Sequence, residues 1–88
     1  MSDADQALAA AEKLFVVVEQ RRLEQMREVF APGAVIWHNT DNTTIGVEQS
    51  IAGIRAIQEM ADEFRYTEIH REPTPSGFVQ QHILLVRL

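Results

Sequence analysis

The spacing of apolar residues changes along this chain, and that change limits the fold more than any single motif does. Up to Phe64, apolar residues recur mainly at intervals of three and four; from Arg65 they alternate with polar ones. The first spacing lines one face of a helix, the second one face of a strand. Ala7, Leu8, Ala11, Leu14, Phe15 and Val18 form the first stripe, which Ser2 or Asp3 can cap. Gln20-Arg21-Arg22 interrupts the stripe, Arg21-Arg22 reading as a solvated turn, and Leu23, Met26, Val29 and Phe30 then predict a second, shorter helix that Pro32-Gly33 ends. Ala34 to Asn39 is β-branched and aromatic, a strand by composition, and Thr40 to Thr44 reads as a polar loop. Gly46 opens the longest helix, carrying Val47, Ile51, Ile54, Ile57, Ala61 and Phe64. Arg65–Glu72 and Phe78–Leu88 read as strands joined through Pro73-Thr74-Pro75-Ser76-Gly77. The expected class is α+β in the order α-α-β-α-β-β, as a single domain over residues 1–88.

Composition removes several functions. With 13 acidic and 8 basic residues the net charge is −5, and Lys13 is the only lysine. Nucleic acid and anionic membrane both require a basic face, so neither is an expected partner. The chain has no cysteine, hence no disulfide framework and no thiolate nucleophile. The longest apolar runs fall far short of the roughly 20 residues a membrane helix needs, and the acidic start is unlike a signal peptide. The expected location is the cytoplasm. The apolar ending Ile83-Leu84-Leu85-Val86-Arg87-Leu88 stops in mid-strand, which predicts an unpaired edge. Either a partner covers it, as in a homodimer through the sheet, or the sequence is part of something longer.

The run Phe30-Ala31-Pro32-Gly33-Ala34-Val35-Ile36-Trp37-His38-Asn39, preceded by two helices and followed by Gly46-Val47-Glu48 opening a third, resembles the nuclear transport factor 2-like superfamily. That group includes SnoaL-like cyclases, ketosteroid isomerases and limonene-epoxide hydrolases. The resemblance covers essentially the whole chain. It implies a strongly curved antiparallel or mixed sheet wrapped around the helices, a cone-shaped, cystatin-like roll enclosing an apolar pocket. It also implies that the domain is C-terminally incomplete, lacking its last two or three strands. Enzymes and binding modules share this cone, so individual residues must decide between them.

Trp37-His38-Asn39 with Asp41-Asn42 is the densest polar and aromatic cluster in the sequence. By strand alternation Trp37 and Asn39 share one face and His38 takes the other. The resemblance implies that Trp37 walls the pocket and that Asn39 orients substrate or water. An amide cannot act as a base near neutral pH. His38 with Asp41 is therefore the candidate proton-transfer pair, histidine titrating nearest neutrality. The competing reading is a solvated or core-satisfied histidine. Phe15 aligns with the isomerase tyrosine but has no hydroxyl, while Ile83 and Leu85 stand where the hydrolase arginine and aspartate fall. Phe15, Met60 and Phe64 belong to core stripes whose inner members would also line the ligand, and Gln81 lies on a sheet face open to ligand or dimer contact. His38, His70 and His82 match no local zinc spacing. No metal and no cofactor is implied.

The expected function is a small-molecule enzyme performing cofactor-independent acid–base isomerisation, hydration or cyclisation of an apolar ligand. The catalytic candidates are His38, Asn39 and Asp41, and the ligand-binding candidates are Phe15, Trp37, Met60, Phe64 and Gln81. The alternative is a non-catalytic hydrophobic-ligand-binding or dimerisation module.

Overall fold

A computed structural model describes residues 2–39 and 41–88. Helix α1 (Asp3–Glu19) begins with a capping box: Ser2 Oγ accepts from the Asp5 N–H at 3.1 Å, and the Asp5 carboxylate accepts from the Ser2 N–H at 3.4 Å. It ends in a Schellman turn, the Arg22 N–H reaching Val17 O at 2.9 Å and the Arg21 N–H reaching Val18 O at 3.0 Å. Arg21 holds the left-handed position of that turn, φ 62°, where glycine is usual. The second helical segment is shorter than its periodicity suggests. It comprises a 3₁₀ turn, Leu23–Gln25, and a single α-turn, α2 (Met26–Val29). Leu23 and Met26 are nonetheless fully packed. Pro32-Gly33 then reverses the chain, with Gly33 at φ 77° and the Ala34 N–H bonded to Ala31 O at 3.1 Å.

Strands β1 (Val35–His38) and β2 (Thr43–Gly46) form an antiparallel hairpin in which His38 faces Thr43. The second half of the expected polar loop is therefore a strand. Asn42, at φ 53°, supplies the left-handed residue that lets the hairpin close, and its N–H bonds His38 O at 3.1 Å. Thr40, part of the same expected loop, lies outside the described residues. Helix α3 (Val47–Met60) follows directly.

Helix α3 stops four residues before Phe64, and Arg21 caps its end. The guanidinium donates to Gln58 O at 2.6 Å, which also accepts the Ala61 N–H at 3.2 Å, and to the carbonyl of the C-cap residue Ala61 at 2.7 Å. Gln58 is only 4% exposed and donates Nε2–H to Val18 O at 2.7 Å. The expected solvated turn at Arg21-Arg22 is thus the joint between α1 and α3.

Strands β3 (Glu63–Thr74) and β4 (Gly77–Arg87) make the second antiparallel pair, joined by Pro75-Ser76. Phe64 opposes Val86 and Tyr66 opposes Leu84, and these faces lie against α1. The register slips once: Thr67 pairs with Ile83 but His70 pairs with Gln81, so Glu68 and Ile69 together oppose His82. Glu68 takes φ 52° at this bulge. Because side chains alternate with period two, the extra residue exchanges the faces beyond it. Arg71, opposite Gln80, therefore shares a face with Tyr66 rather than with Arg65.

The core is Leu14, Val17, Val18, Leu23, Met26, Ile51 and Phe64, with Phe15, Tyr66 and Phe78 packed on it. The described residues are α+β, with three α-helices and two antiparallel two-stranded sheets in the order α-α-β-β-α-β-β. None of its described helices is long and apolar enough to cross a membrane.

Candidate functional site

The inner face of β3 and β4 carries aromatic rings against α1. Tyr66 meets Phe15 edge-on at 4.7 Å between centroids and Phe64 at 5.6 Å. His82 lies 4.6 Å from Tyr66 and 5.8 Å from Phe15, and Phe78 lies 6.3 Å from Phe15. Edge-to-face contact of this kind adds to the area the rings bury. Phe64 is the sealed member, at 6% exposure, whereas Phe15, Tyr66, Phe78 and His82 are half-buried and keep part of their surfaces open.

A polar relay fixes the chemistry of His82. Arg71 Nε–H donates to Gln80 Oε1 at 2.5 Å, and Gln80 Nε2 stands 2.8 Å from His82 Nδ1. Arg71 has only donors to offer, so the Gln80 carbonyl must face it and the Gln80 NH₂ must donate to His82. His82 Nδ1 is then an acceptor, and the ring proton sits on Nε2. Burial, with the nearby His38 and Arg71 charges, holds the His82 pKa below the usual histidine value. Near neutral pH His82 is a neutral imidazole whose Nε2–H is its donor.

Burial pushes Tyr66 in the opposite sense, up to about 12, assisted by the Glu19 carboxylate. That carboxylate accepts the Tyr66 backbone N–H at 2.6 Å. Tyr66 stays a neutral phenol across the physiological range.

The sequence-derived candidates divide between two places. Phe15 and Phe64 belong to the aromatic cluster. His38 is exposed at the end of β1, outside that cluster, and its charge is a secondary cause of the lowered His82 pKa. Ile36 and His38 occupy one face of β1, while Val35 (67% exposed) and Trp37 (58% exposed) occupy the other. The indole Nε1–H of Trp37 donates to Asn42 Oδ1 at 2.9 Å, covering the hairpin turn. Asp41 also serves that turn: its Oδ1 accepts the Thr43 N–H at 3.0 Å, and its carbonyl accepts from Thr43 Oγ1 at 3.1 Å. Asn39 is exposed on the same hairpin. Met60 is 65% exposed at the end of α3. Gln81 lies on the outer face of β4, beside a shallow cavity of about 290 Å³ lined by Glu68, His70, Gln81, His82 and Ile83.

Tyr66, Arg71 and Gln80 had no motif to announce them. Tyr66 falls in an alternating strand, and strict alternation puts Arg71 outside. The one available signal was the mismatch between that alternation and the inward set of β4. Among the described residues, no group of three or more His, Asp or Glu is placed to hold a metal ion.

No protein-family model, no curated protein and no solved structure matches this chain.

Proposed function

We propose that the chain binds an apolar, aromatic or polycyclic small molecule between α1 and the inner face of β3 and β4. There it would perform cofactor-independent acid–base isomerisation, hydration or cyclisation of the SnoaL-like or ketosteroid-isomerase-like type. The observation that carries this reading is the neutral imidazole of His82, fixed in one tautomer among half-open aromatic rings. His82 Nε2–H donates to a ligand carbonyl and stabilises the oxyanion as it develops. His38, without a bonded carboxylate, takes a proton from the carbon beside that carbonyl and returns it elsewhere on the enolate. Bonds and protons balance with no further reactant in an isomerisation.

A second reading, a non-catalytic ligand-binding or dimerising module, draws support from two features. The Asp41 carboxylate is engaged by Thr43 rather than by an imidazole. Val79, Ile83 and Leu85 leave an apolar stripe on the outer face of β4, at 61%, 48% and 39% exposure, suited to a homodimer through the sheet.

The test is a panel of apolar ketones, enones and epoxides, followed by NMR of labelled protein and by turnover against pH. Shifts at Phe15, Tyr66 and His82 with turnover lost in His38→Gln and His82→Gln support the enzyme. Shifts without turnover support the binding module. Ligand shifts confined to the Trp37–Asn42 hairpin, or none anywhere, overturn the enzyme and the ligand-binding module, and a monomer by light scattering overturns the dimerising module.

A further inference from the structure

Arg71 is the one inward guanidinium whose charge the described residues leave without a carboxylate. Arg27 pairs with Glu48, Arg55 with Glu24, and both Arg65 and Arg87 with Glu63. Arg21 caps helix α3, and Arg22 stands exposed beside it. Arg71 instead lies half-buried with its guanidinium carbon 5.5 Å from the centre of the Phe15 ring. It spends only Nε, on Gln80. Thirteen acidic residues are available in this chain, yet the bulge at Glu68-Ile69 turns this arginine to a face where none pairs with it. A half-buried charge costs solvation that a counter-charge would restore. With Nε engaged, the end of the guanidinium still presents one N–H from each Nη in parallel, the fork that matches a planar carboxylate. The Nε2–H of His82, two residues along the same face of β4, adds a neutral donor.

We propose that Arg71, with Gln80 and His82 behind it, is an anion-recognition subsite, and that the ligand is an aromatic or polycyclic carboxylate. Its carboxylate pairs with the Arg71 fork and its apolar body lies against Tyr66 and Phe78. This rests on the ligand-binding reading of the same face and adds the ligand's charge and the residue that selects it. The relay through Gln80 holds the guanidinium in place, and the Phe15 ring shields one of its faces from water.

The experiment uses two isosteric probes, 2-naphthoate and 2-naphthamide, titrated calorimetrically into the full chain at neutral pH. Naphthoate is expected to bind about tenfold more tightly, the difference a charge-assisted hydrogen bond confers. Arg71→Met should abolish that preference, and Arg65→Met, on the outer face, should preserve it. If Arg71→Met fails to fold, the same assignment is read in the wild type from naphthoate-induced shifts at the Arg71 Nε–H, absent with naphthamide. Equal binding of the two probes, or a preference that survives Arg71→Met, overturns the anion subsite and leaves the apolar ligand face standing. Failure of both probes to bind overturns both.

Discussion

Replacing Arg21 tests whether the joint between α1 and α3 is held by its side chain strongly enough to outweigh its backbone. Arg21 sits at φ 62°, which costs a non-glycine residue about 1 kcal/mol. Its guanidinium makes two hydrogen bonds at the end of α3, to Gln58 O in the last turn at 2.6 Å and to Ala61 O at the C-cap at 2.7 Å. Bonds to a charged donor contribute about 1.5–3 kcal/mol each when well buried, and the partly exposed setting here discounts the pair to about 2–3 kcal/mol in total. Arg21→Ala keeps the backbone cost and loses both bonds, so it should destabilise by about 2–3 kcal/mol. Arg21→Gly loses the same bonds but relieves the backbone, for a net loss of about 1–2 kcal/mol. For a domain of this size 1 kcal/mol moves Tm by about 4–8 °C. The alanine variant should therefore melt on the order of 10–20 °C lower, the glycine variant roughly half as far. Arg22→Ala, next door, should change little. Thermal melts by circular dichroism with urea titrations read all three. A glycine variant more stable than wild type would refute the reasoning, because the turn's geometry would then outweigh the capping bonds.

Three further outcomes are expected. Tyr66 is the only tyrosine, so phenolate absorbance should report one titration near pH 12. Since its folded pKa is raised, the stability it confers is full below about pH 10 and is lost as pH rises through the folded value. Glu19→Gln should move the titration down. His82 has a lowered folded pKa, so the opposite sign holds: stability is full above about pH 6.5 and declines as acid protonates the ring. NMR titration should find His82 below the usual histidine value, rising in Arg71→Gln and His38→Gln. Asn42→Gly keeps the left-handed turn but removes the indole acceptor, so Trp37, the only tryptophan, should change its fluorescence while the melt shifts by less than about 1.5 kcal/mol.

Much of the architecture was legible because it depends on local chemistry. The Ser2 cap, the α1 stripe, the Pro32-Gly33 reversal and the opening of α3 follow from spacing and backbone preference, which neighbouring residues carry among themselves. The limits of the same logic show at Phe64. Helical periodicity assigns it to α3, yet pairing with Val86 draws it into β3 while burying it as deeply as a helical position would. At Thr43–Gly46 a run too short to alternate became a strand only because Val35–His38 lay beside it to supply partners. Of the candidate site, Phe15 and Phe64 could be found as members of apolar stripes. Asp41 could not be separated from His38 by sequence distance, although the structure assigns its carboxylate to Thr43.

What the sequence determines by itself is an acidic α+β chain with an amphipathic first helix, a turn at Pro32-Gly33 and two long strands at the end. These properties are set by composition and by contacts a few residues apart. Which way Arg71 points, which nitrogen of His82 carries its proton, and what Arg21 caps are decided only by tertiary structure. Each depends on residues brought together from distant positions or on one extra residue in a strand. A single bulge at Glu68-Ile69 reverses every face beyond it, and period-two reasoning from the sequence cannot locate such a bulge, because the register is fixed by the partner strand.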